Sequence, residues 1–325
     1  MSGSIVDYLL ELLEKKGSDI QYGNEDVTQL EHALQCAELA EQHNKSDAFI
    51  TAALLHDVGH LLYEDDDPIH EGKDGVHEDL GVQLYTFRHA MLEDPKETLS
   101  KVAELGIKYL ESARSDRGLY YGLTPIEMRD TCKVLGLALK SGHVLLDSNW
   151  LNTMDQAAQA DQEYVICSSL PTKGQYIDNY LRVAEAFNKA GEDCKKLGLK
   201  FGYHNHGYEF ETDEGQVLYD VLLENTDPSL VYMEIDLGWV VMGGKNPIDY
   251  FKKYPGRFPL WHLKDMSLLK GVSTELGKGD LNISESLRNA DLSGVKYIFL
   301  EQEEYANNAF DSIGYNINYL AKLSY

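Results

Sequence analysis

The chain has 325 residues, 43% of them hydrophobic, which suffices for a large core and exceeds most single domains, so one big domain with a small companion is expected. Its 29 Lys and Arg stand against 54 Asp and Glu, a formal charge of -25 that repels phosphate backbones and anionic lipid and excludes nucleic acid and membrane as partners. The four cysteines, Cys36, Cys132, Cys167 and Cys194, lack paired spacing, which argues against a zinc ribbon or a disulfide framework and for a reduced compartment.

In chain order, MSGSIVDYLLELLEKKGSDI is amphipathic, and its Glu and Lys keep every apolar run below signal-peptide or membrane-span length. A cytoplasmic protein is expected. EHALQCAELAEQH and DAFITAALLHDVGHLL are helix-periodic, while YEDDDPIHEGKDGVHEDL reads as an acidic loop leading into the first strand. This stretch also holds His56 and Asp57 side by side, with His32 upstream and His77 downstream.

From Gly81 the pattern alternates strand and helix. Eight strands are expected: GVQLYTF, IKYLESA, LALKSGHV, EYVICSSL, LKFGYHNH, LVYMEIDLGW, FPLWHLKD and VKYIFLEQE. Thr124 and Pro125 open a helix, and Gly106, Gly136 and Gly198 sit where a left-handed stop is wanted. Eight such units in about 245 residues fit a closed barrel. An open doubly wound sheet is disfavoured because no G-x-G-x-x-G or Walker A loop is present. The expected fold is α/β, a (β/α)8 TIM barrel over residues 81–325 with a small all-helical extension over 1–80.

His204, His206, Asp236, His262 and Glu301 all fall at downstream strand ends, the face where such barrels carry their chemistry. Two imidazoles with two carboxylates suit Mn, Zn, Fe or Co better than Ca. The spacing predicts a divalent metal site.

The stretches GVQLYTFR, KVAELGIKYLE, YHNHGYEF, EIDLGWVVMGG, WHLKD, GKGDL and GVKYIFLEQE resemble the sugar phosphate isomerase/epimerase family, with its xylose isomerase-like TIM barrel. The resemblance covers about three quarters of the chain. It implies a metal held by Asp236, His262 and Glu301, with His204 of His204-Asn205-His206 standing where many members have a Glu. It also implies proton abstraction next to a carbonyl, with the metal polarising the oxygens and stabilising an enediolate. A neutral imidazole binds metal but does not replace a carboxylate base, so a two-glutamate proton shuttle is not expected.

Glu301 is the first candidate for the base. Glu209 is the second, with an alternative role in orienting His206. Lys264, on the same side of its strand as His262, is placed to hold a substrate oxygen or to pair with a carboxylate. His143, His206 and Trp239 are candidates for lining a sugar pocket, and Arg88 for a phosphate or hydroxyl contact. The expected partner is a small sugar or sugar derivative, phosphorylated or not; whether the chain forms a homo-oligomer is left open.

QYGNEDVTQLEHALQCAELAEQ, ITAALLHDVGHLL and GVHEDLG resemble HD-domain oxygenases that cleave organophosphonates at a di-iron centre. The resemblance implies iron ligands at His32, His56, Asp57 and His77. The later HD helices are missing, because the chain turns to QLYTFR just after His77, and Leu80-Gly81 reads as a junction of two families. Four readings follow: a metal-dependent isomerase or epimerase, a 3-keto-glycoside lyase or hydratase on the same barrel, a non-catalytic sugar-binding barrel, and a phosphonate oxygenase acting through the first 80 residues.

Overall fold

The computed structural model describes residues 79–323 and, ahead of them, residues 13–15, 18, 27–43, 45–47, 50, 51 and 54. The chain divides into two compact units, Met1–Asp74 and Gly75–Tyr325. In the first, the helix Gln29–Gln42 starts at a capping box. Glu31 N–H donates to Thr28 Oγ1 at 3.2 Å and Thr28 N–H to Glu31 Oε2 at 2.7 Å. Leu13 and Ala33 are buried there beside Leu30 and Leu54. His56, Asp57 and His77 lie outside the described residues.

In the second unit eight parallel strands close a barrel. They are β1 Gly81–Gln83, β2 Tyr109–Ala113, β3 Ala138–Val144, β4 Tyr164–Cys167, β5 Lys200–His204, β6 Val231–Asp236, β7 Leu260–Leu263 and β8 Tyr297–Leu300. Each pairs with its sequence neighbour, and β8 returns to β1. All eight expected strands are present, several shorter than their apolar runs. β1 stops after three residues and becomes the 3-10 turn Leu84–Phe87, because Gln83 Oε1 accepts the Tyr85 N–H at 3.0 Å. β6 ends at Asp236, whose Oδ1 accepts the Trp239 N–H at 2.9 Å and starts the short helix Leu237–Met242.

Helices cover the outside. Thr124 caps Pro125–Val134 in a capping box with Glu127, and Gly106, Gly136 and Gly198 take positive φ of 85°, 70° and 75° at helix ends. The longest helix among the described residues, α1 (Ile177–Lys196), packs so closely that a Cβ on Gly191 would collide with the Leu230 carbonyl oxygen. Among the described residues, no helix is long and apolar enough to cross a membrane, and the four cysteines are free thiols.

Strand alternation sorts the barrel interior into layers. Outward residues such as Met233, Ile235, Trp261, Ile298 and Leu300 join the core under the helices. Inward ones at the upstream ends are aromatic or aliphatic, with Tyr164, Ile166, Leu260, Tyr297 and Phe299 forming a plug against Tyr109 and Tyr232. Toward the downstream ends the inward set turns polar, and Glu111, Glu234, Asp236, His204 and His262 are almost fully buried.

Candidate active site

One departure from regular pairing sets the site. The register of β2 and β3 shifts between Leu110 and Glu111, which pair with Leu139 and Ser141 and leave Lys140 as an extra residue. Lys140 lies over the Tyr109 and Tyr297 rings at 5.9 and 5.6 Å, and the shift lets Ser141 Oγ donate to Glu111 Oε2 at 2.5 Å. His143, two residues on, reaches Glu234 Oε2 at 2.7 Å and Glu111 Oε1 at 3.1 Å.

His262 is the centre of the cluster. Its Nδ1 faces Glu301 Oε2 at 2.8 Å and Asp236 Oδ2 at 3.8 Å; its Nε2 faces Glu111 Oε1 at 2.6 Å and Glu234 Oε2 at 3.3 Å. Burial alone would lower the basicity of this ring, but Glu234, Glu301 and Glu111 outweigh it and hold His262 well above the usual imidazole range. His204 goes the other way, pushed well down by burial and by the neighbouring His262 and His143. Burial pushes Glu301 up, yet Lys264 and His262 more than reverse this and keep it ionised far below the usual range.

Two groups of possible metal ligands result, each with its ligand atoms within 4.8 Å of one another: Asp236, His262 and Glu301, and His143, His204, Glu234 and His262. The expected set of four is therefore divided. His204 Nε2 stands 3.9 Å from Asp236 Oδ2, but the ring groups with His143 and Glu234, because its Nδ1 is 3.3 Å from Glu234 Oε2. The residues fit a divalent ion, since Asp236 Oδ2 and His204 Nδ1 are buried without an aligned hydrogen bond and the donors are mixed N and O.

Lys264 settles between carboxylates, its Nζ 3.0 Å from Asp236, 2.8 Å from Glu301 and 2.7 Å from Glu303. It makes the ion pair and also lines the cavity above the polar layer. Trp239 flanks it, with the Lys264 Nζ 5.2 Å from the ring centre.

Above the polar layer opens a cavity of about 320 Å³, lined by downstream strand ends from around the barrel. His143, His204, His206, Trp239, Lys264 and Glu301 all face it. Glu209 does not. It is buried beneath His206, accepting the Tyr203 hydroxyl at 2.5 Å and the His206 N–H at 2.9 Å, which is the orienting role. Burial raises its carboxyl to about 7. Arg88 is not among the cavity-lining residues: its guanidinium donates to the Tyr85 and Glu303 carbonyls at 3.1 and 2.8 Å, strapping loops together. The cation at the rim is Arg114, exposed at the end of β2.

Glu111 and Glu234 escaped the reading of strand ends, because they sit in mid-strand. A lone Glu at an inward position of an apolar run, as in YLESA and YMEID, was the available signal.

From Gly81 on, the fold is similar to that of sugar phosphate isomerase/epimerases and xylose isomerase-like TIM barrels. A solved sugar phosphate isomerase/epimerase from Parabacteroides distasonis superposes with a TM-score of 0.68 at 28% identity, covering 76% of this chain and 98% of that one. An inosose dehydratase from Clostridium perfringens is 31% identical over 153 residues, 40% of this chain; the match spans half the length of that relative. These relatives are enzymes. The HD domain model matches residues 30–124, of which 30–74 fall in the first unit and 75–124 in the second. A hydroxymethylphosphonate dioxygenase from Gimesia maris is 43% identical over 83 residues, 25% of this chain and 40% of that protein. The HD match runs past Leu80 into residues that form β1 and β2. Of the HD residues, His32 lies on the helix Gln29–Gln42 with its Nε2 3.5 Å from Cys36 Sγ.

Proposed function

We propose that residues 81–325 form a divalent-metal-dependent enzyme of carbohydrate chemistry that removes a proton from carbon next to a carbonyl, and that residues 1–80 are a partial HD-like segment. The observation that carries it is the convergence of Asp236, His262 and Glu301 on one point beneath a cavity of sugar size. A metal bound there, Mn, Zn, Co or Fe, supplies Lewis-acid polarisation of a substrate oxygen. Glu301, which faces the cavity just beyond β8, is the base; Lys264 positions it, and His206 and Trp239 shape the sugar pocket.

Isomerisation or epimerisation follows if the proton returns to carbon. One feature favours dehydration over epimerisation. A shuttle between two faces of a carbon needs two bases, whereas His204 replaces one carboxylate and Glu209 lies outside the cavity lining. Elimination needs one base and one acid. Glu301 takes the α-proton, the β carbon–oxygen bond breaks, and the departing hydroxyl accepts a proton from His143, which faces the cavity from the Glu111–Glu234 pair. The similarity to inosose dehydratases supports this branch.

The test is metal content and turnover of Asp236→Ala and Glu301→Ala with keto-sugars, an inosose and keto-glycosides, following proton exchange in D2O and enone absorbance. Loss of both properties is expected, and the proposal falls if each variant keeps both. Iron- and oxygen-dependent phosphonate cleavage that survives these variants would assign activity to the HD-like segment.

A further inference from the structure

Beside the barrel cavity lies a second, larger one of about 560 Å³, and the two share Arg114 and Leu145 at their rims. It is walled by the loop after β2 and by the segment that leads from β3 into the helix Trp150–Gln159. Its lining is polar. Ser115 and Asp116 come from one side, and Asp147, Asn149 and Gln156 from the other.

The loop side is preformed, because Ser115 N–H donates to the Gly118 carbonyl and Gly118 N–H to the Ser115 carbonyl, each at 3.0 Å, with Gly118 at a φ of 95°. On the other side Asp147 Oδ1 accepts the Asn149 N–H at 2.8 Å. The side chains of Asp116 and Asn149 are exposed and that of Gln156 is half-buried, and none of the three hydrogen-bonds another described residue, so their donors and acceptors are open to a ligand that displaces water. Two carboxylates against the single Arg114 disfavour an anionic group. Hydroxyls, which both donate and accept, match carboxylate and amide together.

We propose that this second cavity is a subsite for a further, uncharged sugar ring, so that the substrate is a glycoside whose reacting ring enters the barrel while its neighbour lies across Arg114 and Leu145. The proposal rests on the carbohydrate reading of the barrel and narrows its substrate class. Pockets for drug-sized ligands run roughly 300–1,000 Å³. The barrel cavity, at the low end of that range, suits one ring, and the second gives its neighbour room.

The test is calorimetric binding of methyl glucoside, maltose, cellobiose and trehalose to the whole protein and to Asn149→Ala/Gln156→Ala. At least one disaccharide is expected to bind about tenfold tighter than methyl glucoside, the worth of one or two net hydrogen bonds, and the double variant to abolish that excess while leaving methyl glucoside within about twofold. No excess for any disaccharide, or an excess that persists in the variant, overturns the subsite. The carbohydrate reading fails separately, through Asp236→Ala and Glu301→Ala, whichever way these affinities fall.

Discussion

His262 Nε2 lies 2.6 Å from Glu111 Oε1, with the opposite nitrogen turned toward Glu301 and Asp236. Glu111 is itself fixed by Gln83 Nε2 at 2.7 Å and Ser141 Oγ at 2.5 Å, so the ring cannot swing without breaking a buried network. A carboxylate behind a ligating imidazole orients it and raises its basicity. Glu111→Gln should therefore weaken divalent metal binding about 10- to 100-fold, measured by competition with a chelating dye. Unchanged affinity in a folded variant would remove Glu111 from the metal's support.

Lys264 places one ammonium among Asp236, Glu301 and Glu303. Replacing it with Met leaves buried carboxylates uncompensated, at a cost of roughly 3–5 kcal/mol. Since a divalent cation would relieve the same repulsion, added Mn should raise the melting temperature of Lys264→Met more than that of the parent protein. Equal shifts in a thermal scan would refute the idea that ammonium and metal balance the same charges.

Glu209 gives a pH signature. Its carboxyl is raised by burial from 4.5 to about 7. A raised pKa means that the folded state holds the proton that the unfolded chain releases. The resulting stability is complete below 4.5 and is lost as pH climbs to 7. Glu209→Gln cannot ionise, so its stability relative to the parent should rise across that window by about 3 kcal/mol, read from urea midpoints. A flat difference would show that Glu209 titrates normally.

Gly191 tests the packing outside the barrel. Ala in mid-helix ordinarily gains about 1 kcal/mol over Gly. Here the added Cβ collides with the backbone oxygen of Leu230, and overpacking costs roughly 1–3 kcal/mol. Gly191→Ala should lower the denaturation midpoint, and a rise would mean that α1 is free to shift.

The sequence by itself determined the barrel, because apolar runs of strand length alternating with amphipathic helices admit few other architectures, and Thr124, Gly106, Gly136 and Gly198 mark helix ends through local chemistry alone. It also located the strand-end residues, since position along a strand fixes which end of the barrel a side chain occupies. Tertiary structure decided the partnerships. Glu111 and His262 are 151 positions apart and meet only when the barrel closes. Arg88 looked free until the Glu303 carbonyl came within 2.8 Å of it, and Glu209 looked available to substrate until Tyr203 and the His206 backbone claimed it. Local pattern specifies which face a residue presents, while burial, charge balance and hydrogen-bond satisfaction are set by residues distant in the chain.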